Sequence, residues 1–237
     1  MLILSIDTTG PICSCSLWDG QDMKTIVNDT EYSHLEALAP MVSQLLSETR
    51  KKPEELSAVA VSRGPGSFTG IRIGMVSAKG LAQVWDKPMI CVPTLASFAY
   101  GKYSFVKEEE NVLYCPLFDA RRSQVYAAAY PHAGRQAAVP DAAYAIEDYL
   151  GLLKEAAKDY EKVIFFGDGI KAYKEQLENC ALPCEFAPEE ERFQFSESVA
   201  RLAQEMFKAG ELCDCYTAEP EYLRLSEAER KLKEKNA

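Results

Sequence analysis

The stretch that decides the fold is SRGPGSFTGIRIGM, residues 62–75, in which four glycines and a proline stand where a helix should begin. The apolar residues 56–62 before it predict a buried strand, and the pattern after it predicts a helix to about Trp85. A glycine-rich turn between a strand and a helix is typical of anion-binding loops, because free N–H groups at a helix N-terminus attract negative charge. The first question is therefore whether this turn is a phosphate cradle.

The stretch lacks both common nucleotide-binding motifs. A Walker A loop needs G-x-x-x-x-G-K-[ST], but the sixth position is Thr69 when counted from Gly64 and Ile71 when counted from Gly66. The dinucleotide motif G-x-G-x-x-G also fails, because Thr69 stands where its third glycine belongs. One interpretation of Gly64, Gly66 and Ser67 is a turn whose backbone N–H groups face an anion. The alternative, which the local chemistry favours, is an ordinary turn with Ser67 or Thr69 as the helix N-cap.

Small residues recur at every fourth position of this stretch, at Gly66, Gly70, Gly74, Ala78 and Ala82. On a helix they form one ridge with almost no side chain. An interior glycine costs a helix about 1 kcal/mol relative to alanine, a cost tolerated where another backbone approaches closely. Either the ridge packs on the predicted helix 34–49 of the same chain, or the two helices form a subunit interface. The candidate interface residues are His34, Leu38, Met41, Leu45, Gly70, Gly74, Met75, Ala78 and Ala82.

Periodicity and turn residues predict two similar halves. In the first half we expect strands at 2–7, 12–18, 23–28, 56–62 and 88–93, with helices at 34–49 and 67–85. In the second half we expect strands at 112–119, 124–130 and 162–166, and helices at 146–158, from about 170 and at 196–210. Asp7 and Asp119 each end the first strand of a half, which indicates an internal duplication. The predicted divisions are a domain 1–105, a smaller domain 106–225 and a charged tail 226–237.

Composition restricts the classes of partner. The formal net charge is −10, so the chain alone should repel the phosphates of nucleic acid. We expect the eight cysteines to be free thiols that pack as small apolar side chains, because metal-binding CxxC spacing is absent. The N-terminus lacks the basic leader and long apolar core of a signal peptide, and no segment approaches the roughly 18 apolar residues of a membrane span. We therefore expect a cytoplasmic protein.

Six motifs together carry a resemblance to a known family: ILSIDTT, SHLEALAPMV, RGPGSFTGIRIGMVSAKGLA, VPTLASFA, FDARRSQVYAAAY and EPEYLR. They span residues 3 to 224 in order, and the chain resembles the TsaB (YeaZ) family of the bacterial machinery that makes N6-threonylcarbamoyladenosine on tRNA. The resemblance implies an α/β chain with the actin-like ATPase fold of sugar kinases and Hsp70, in which two domains of one topology arose by duplication.

The resemblance also implies where a nucleotide site would lie. In active members of the fold, aspartates at the ends of the two first strands face phosphate and metal, so Asp7, Thr8, Thr9 and Asp119 are the degenerate phosphate-facing residues. After Asp119 the sequence has Ala120-Arg121-Arg122, where active members need glycine. Residues 167–169, GDG, resemble the turn that binds adenosine.

The catalytic relative TsaD has an H-x-x-x-H metal pair, and the matching positions here are Thr94 and Phe98. Neither side chain replaces imidazole as a ligand. The sequence also lacks the nucleophile motif G-x-S-x-G, so it offers no support for a protease. We expect no metal and no tightly bound cofactor on this chain.

The resemblance favours a non-catalytic partner subunit. It would bind TsaD through the helices 34–49 and 67–85, help recruit the ATPase TsaE and form a homodimer when TsaD is absent. ATP and metal would reside on TsaD, and tRNA would be reached only through the complex. The alternative function is a weak ATPase or kinase-like phosphotransferase that uses Asp7 and Asp119.

Overall fold

The computed structural model describes residues 1–30, 34–101 and 111–223. The predicted domain boundary near residue 105 and the predicted tail 226–237 lie outside the described residues. None of the helices within the described ranges is long and apolar enough to cross a lipid bilayer.

The first half is a five-stranded sheet with two long helices. Its elements are β1 (Ile3–Asp7), β2 (Cys13–Trp18), β3 (Met23–Asn28), α1 (His34–Thr49), β4 (Ala58–Gly64), α2 (Phe68–Trp85), β5 (Met89–Pro93) and the short α3 (Thr94–Ser97). The strand order is β3-β2-β1-β4-β5. Strands β1 to β3 are antiparallel neighbours, whereas β4 and β5 run parallel to β1. The carboxyl ends of β1 and β4 therefore meet at one edge of the sheet.

The second half repeats this arrangement. Its elements are β6 (Val112–Arg121), β7 (Gln124–Pro131), β8 (Val139–Ala145), α4 (Ile146–Ala156), β9 (Lys162–Phe166), α5 (Gly169–Glu178), β10 (Cys184–Phe186) and α6 (Ser196–Lys208). The order β10-β9-β6-β7-β8 is that of the first sheet when each half is numbered from its own first strand. The duplication and the actin-like ATPase fold are confirmed.

Two strands, β8 and β10, are not predicted by the sequence pattern. β8 is an edge strand that contains Pro140 and three alanines, and β10 has only three residues. Such compositions have weak intrinsic strand preference. Pairing with β7 and β9 makes them strands, and that pairing is a property of the folded sheet.

Helix α6 follows the second half in sequence but packs on the first sheet. Three buried serines of β1 and β2 bind its first residue, Ser196. The Ser5 hydroxyl donates to the Ser196 carbonyl at 2.7 Å, the Ser16 and Ser196 hydroxyls lie 2.6 Å apart, and the Ser196 N–H donates to Ser14 Oγ at 2.9 Å. The range 106–225 therefore contains a helix that belongs spatially with the first half.

Candidate functional site

The Asp7 carboxylate lies completely buried at the end of β1. One of its oxygens accepts hydrogen bonds from the N–H of Thr9 at 2.8 Å and from the Thr9 hydroxyl at 2.9 Å, and the other accepts from the Ser62 hydroxyl. Burial raises the pKa of Asp7, and the hydrogen bonds from Ser62 and Thr9 oppose that rise. Hydrogen bonds from the chain itself thus engage both oxygens of Asp7, the first residue predicted to face phosphate.

Helix α2 closes the loop that follows Asp7. The Thr8 hydroxyl donates to the Gly70 carbonyl at 2.7 Å. A β-carbon on Gly70 would approach the Thr8 carbonyl oxygen more closely than the 3.0 Å that real β-carbons respect, and one on Gly74 would overlap the Thr8 hydroxyl. The glycines of the ridge therefore receive a loop of their own chain, a contact that the sequence did not predict. Ala78 and Ala82 of the ridge lie in one core cluster with residues of α1, as the intrachain alternative predicts.

The residues predicted to form the interface lie mostly in the core of this chain. All but one of these residues are buried: Leu38, Met41, Leu45, Gly70, Gly74, Met75, Ala78 and Ala82. Both helices lie on the first sheet, so their small and apolar faces point inward. The remaining residue, His34, is half-buried with its Nε2 3.3 Å from the Pro11 carbonyl. These residues form core and not an open surface.

The predicted anion-facing turn uses several of its polar groups internally. The Gly64 N–H donates to Thr94 Oγ1 at 3.1 Å, and the Ser67 N–H donates to the Thr9 carbonyl at 2.7 Å. A β-carbon on Gly66 would lie 2.6 Å from that same Thr9 carbonyl. Ser67 caps α2 with its hydroxyl, in agreement with the N-cap interpretation. Two of the donors that an anion would need are therefore already engaged.

Asp119, the counterpart of Asp7, is tied to its own hairpin. Its Oδ1 accepts from the Arg121 N–H at 2.8 Å and from the Tyr173 hydroxyl at 3.3 Å, and its Oδ2 lies 3.1 Å from the Arg121 guanidinium. The Asp119 N–H donates to Asp168 at 3.1 Å, so the GDG turn 167–169 does meet this strand end. Burial raises the pKa of Asp168. The second predicted phosphate-facing carboxylate is thus also engaged by neighbours.

The hairpin after Asp119 has a left-handed backbone at three successive residues that are not glycine. Arg121, Arg122 and Ser123 have φ values of 64°, 56° and 58°, which are left-handed. Non-glycine residues seldom adopt this conformation. The sequence Ala120-Arg121-Arg122 thus leads into a turn that carries two arginine side chains shortly after Asp119.

Gln194 closes the first loop from the opposite side, a role that local sequence does not signal. It is buried, and its Nε2 donates to the Thr9 hydroxyl at 3.3 Å. Its Oε1 would lie 2.6 Å from a β-carbon on Gly10. Because 185 positions separate Gln194 from Thr9, only the packing of α6 on the first sheet brings the two together.

The positions matched to a metal-binding pair hold no metal ligands. Thr94 accepts the hydrogen bond from Gly64, and Phe98 packs in the core with ring centroids 5.8 Å from Phe118 and 5.5 Å from Phe166. Within the described part of the chain, no three histidine, cysteine, aspartate or glutamate side chains are grouped closely enough to hold a metal ion.

Helix α2 also has an exposed face, formed by Phe68, Arg72, Val76, Gly80 and Val84, which we call the outer face of α2. Val76 is 69% exposed and Val84 is 80% exposed. The Arg72 guanidinium lies 3.9 Å from the Phe68 ring centroid. A β-carbon on Gly80 would meet nothing within 4 Å, so no contact among the described residues explains this helix-interior glycine. Exposed apolar side chains beside such a glycine are typical of helix-contact surfaces.

Comparison with known proteins identifies the family. The protein named tRNA threonylcarbamoyladenosine biosynthesis protein TsaB from Bacillus subtilis (strain 168) is 33% identical over 234 residues, which cover 98% of this chain and 97% of that protein. This chain belongs to the TsaB family. The TsaB protein of Escherichia coli (strain K12) is 36% identical over 130 residues, 55% of each chain. Residues 28–232 also match the family described as TsaD: tRNA N6-adenosine threonylcarbamoyltransferase.

A solved structure of the TsaB family agrees with the fold. The structure of YeaZ from Pseudomonas aeruginosa has a TM-score of 0.76 and 25% sequence identity, and the match covers 94% of this chain and 99% of that one. The resemblance carried by the six motifs, and the two-sheet architecture that it implies, are therefore confirmed.

Proposed function

We propose that this chain is a non-catalytic accessory subunit for the formation of N6-threonylcarbamoyladenosine on tRNA. It binds and activates TsaD, which carries the ATP, the metal and the transfer chemistry, and it helps to recruit TsaE. Membership of the TsaB family supports the pathway, because its relatives are named for this biosynthesis. The net charge of −10 supports a subunit that leaves tRNA contact to its partners.

The observation that carries the non-catalytic part is the state of the two strand-end aspartates. The residues do not fit an ATP–metal site: Asp7 is buried against Ser62 and Thr9, and Asp119 is paired with Arg121. A divalent cation that bridges phosphate oxygens needs carboxylate ligands that are accessible and free of such partners. We therefore derive no phosphoryl-transfer step for this chain.

The outer face of α2 is the surface that we assign to TsaD, and to a second copy of this chain when TsaD is absent. It presents Val76 and Val84 to solvent beside the unexplained Gly80. On α1, Leu35 is also 69% exposed. A glycine at the centre of an apolar helix face lets a partner helix approach closely.

The test of this surface is Gly80→Leu, with Gly151→Leu as its matched control. Both glycines are exposed inside helices, and a β-carbon on either meets nothing within 4 Å. Both variants should fold, because leucine has a higher helix propensity than glycine by about 0.8 kcal/mol. We expect Gly80→Leu to lose co-purification with TsaD at least about tenfold, a change of about 1.4 kcal/mol, while Gly151→Leu binds as the wild type does. Normal binding by Gly80→Leu would exclude this face.

The test of the non-catalytic assignment is isothermal titration of the isolated chain with ATP and Mg²⁺. We expect no micromolar binding and no turnover. Binding and turnover that Asp7→Asn abolishes would instead support the alternative, a weak ATPase or kinase-like phosphotransferase. This experiment does not involve the TsaD surface. Its result can therefore contradict the non-catalytic assignment without contradicting the assigned binding surface.

A further inference from the structure

Two of the cysteines lie in sulfur–sulfur contact. Each of the eight cysteines is a free thiol, and three of them are buried while five are half-buried. Cys91 is on β5 and Cys213 follows α6, yet their sulfur atoms are 3.5 Å apart although 122 positions separate them in the chain. A disulfide bond is about 2.05 Å long, so the sulfurs must close by roughly 1.5 Å to join.

The backbone around Cys213 holds this pair in place. Met89 of β5 and Cys213 form an antiparallel bridge, in which the Met89 N–H donates to the Cys213 carbonyl at 2.8 Å and the Cys213 N–H donates to the Met89 carbonyl at 2.9 Å. Cys91 lies two residues beyond Met89 and so projects from the same face of the strand. The two thiols are therefore neighbours because of strand pairing and not because of a chance side-chain orientation.

The pair is also accessible to a small oxidant. Cys91 and Cys213 are both half-buried, whereas Cys13, Cys15 and Cys115 are buried. Burial and the neighbouring Cys213 raise the pKa of Cys91 to about 12. A thiolate is the reactive form of cysteine, so the raised pKa slows the reaction of Cys91 itself, and the Cys213 sulfur lies 3.5 Å away to complete a disulfide.

We propose that Cys91 and Cys213 are an oxidative modification site, at which a hydroperoxide converts the two thiols into a reversible disulfide. One of the two sulfurs attacks the peroxide as a thiolate, forming an S–O bond as the O–O bond breaks, and the other oxygen leaves with that thiol's proton as water or alcohol. The second sulfur then attacks this sulfenic acid, forming the S–S bond as the S–O bond breaks, and the hydroxyl leaves with the second thiol's proton as water. Two electrons pass from the two thiols to the peroxide, so the step balances without a further reactant.

The disulfide would form on a segment that already contacts two separate elements of the first half. Residues 211–223, which we call the C-terminal arm, run from β5 to the start of α2. At the far end of the arm, the Glu221 N–H donates to the Arg63 carbonyl at 2.7 Å, and the Glu221 carboxylate lies 2.8 Å from the Arg63 guanidinium. Tyr222 packs on Phe68 with ring centroids 5.1 Å apart. The bond would add a covalent anchor at the β5 end of the arm.

The experiment uses the full chain, reduced and then exposed to hydrogen peroxide. Remaining thiols are alkylated under denaturing conditions without reductant, and intact mass and peptide mapping follow. We expect the thiol count to fall by two, a cross-linked peptide that contains Cys91 and Cys213, and full recovery with dithiothreitol. Cys91→Ser and Cys213→Ser should each remove the cross-link, whereas Cys215→Ser, altered in the same arm, should retain it.

A thermal measurement gives an independent result. The melting temperature of the oxidised wild type should exceed that of the reduced wild type, and peroxide should produce no such rise in Cys213→Ser. A cross-link between other cysteines would overturn the proposal. So would sulfinic acid on Cys213 without a cross-link, or an unchanged thiol count in the wild type.

Discussion

The two halves share one strand order but end their first strands in different ways. At the end of β1, Asp7 is buried beneath α2 and Gln194, and its oxygens accept from Ser62 and Thr9. Two residues before the end of β6, Asp119 lies beside a hairpin whose Arg121 side chain is 86% exposed. A single topology thus carries one aspartate as a core residue and the other as part of a surface turn.

The difference lies in the surroundings of the two aspartates and not in the strand order. Asp7 is the last residue of β1, whereas Asp119 lies two residues before the end of β6. Each carboxylate accepts hydrogen bonds from groups of the chain, Asp7 beneath the closely packed α2 and Asp119 beside a turn that begins at Arg121. Substitutions at Gly70 and at the two aspartates measure how much each of these surroundings contributes to the free energy of unfolding.

The largest loss of stability is expected on substitution of Gly70, where α2 packs against the loop that follows Asp7. In Gly70→Ala the new β-carbon would overlap the Thr8 carbonyl, and overpacking of this kind costs about 3 kcal/mol. The matched control is Gly80→Ala on the outer face of the same helix, which should gain up to about 1 kcal/mol. Urea unfolding of both variants measures the difference. Equal stabilities would mean that α2 does not close on the Asp7 loop.

A smaller loss of stability is expected on substitution of the aspartates, and it should be larger for Asp7 than for Asp119. Asp7→Ala removes the acceptor for buried donors on Ser62 and Thr9, and unsatisfied buried donors cost about 2 kcal/mol. Asp119→Ala breaks a pair with the exposed Arg121, which is worth less than about 1 kcal/mol. The free energy of unfolding of each variant, measured in urea, checks the order. If Asp119→Ala were the more destabilising change, the contrast between the halves would be reversed.

The smallest effect is the pH dependence that Asp7 contributes. Burial raises its folded-state pKa above the ordinary value of 3.8, so the folded chain holds this proton more tightly than the unfolded chain does. The stabilisation is complete below pH 3.8 and is lost as the pH rises through the folded pKa. The free energy of unfolding of wild type relative to Asp7→Asn, measured in urea at a series of pH values, should therefore increase as the pH is lowered. The increase is about 1.4 kcal/mol for each pH unit that separates the folded-state pKa from the unfolded-state pKa.

Asp214 provides the control with the opposite sign. Hydrogen bonds from the N–H groups of Thr217 and Tyr216 lower the pKa of this exposed carboxylate. Its stabilisation is present at neutral pH and is lost as the pH falls through that lowered value. The stability of wild type relative to Asp214→Asn should therefore decrease on acidification. Parallel trends in the two aspartate variants would contradict the assignment of Asp7 as a buried group.

The sequence by itself determined most of the elements, the duplication and the family. Hydrophobic periodicity and turn residues are local signals, so β9 has the bounds predicted for it and α1 spans its predicted range. The restart after residue 111 and the matching positions of Asp7 and Asp119 predicted two halves of one topology. The six motifs identified the TsaB family, and Ser67 was recognisable as a helix cap.

The tertiary structure alone decided which faces are buried and which distant residues meet. Helix α2 is apolar on both sides, and only its position on the sheet places Met75 inside and Val76 outside. Gln194 reaches the first loop, and Cys213 reaches Cys91, across well over a hundred residues of intervening chain. Local propensity acts over one or two turns of chain, whereas these contacts exist only after two sheets and α6 have packed together. The glycine-rich stretch therefore predicted correctly that another backbone approaches α2 closely. Only the folded structure shows that this backbone is the loop at Thr8.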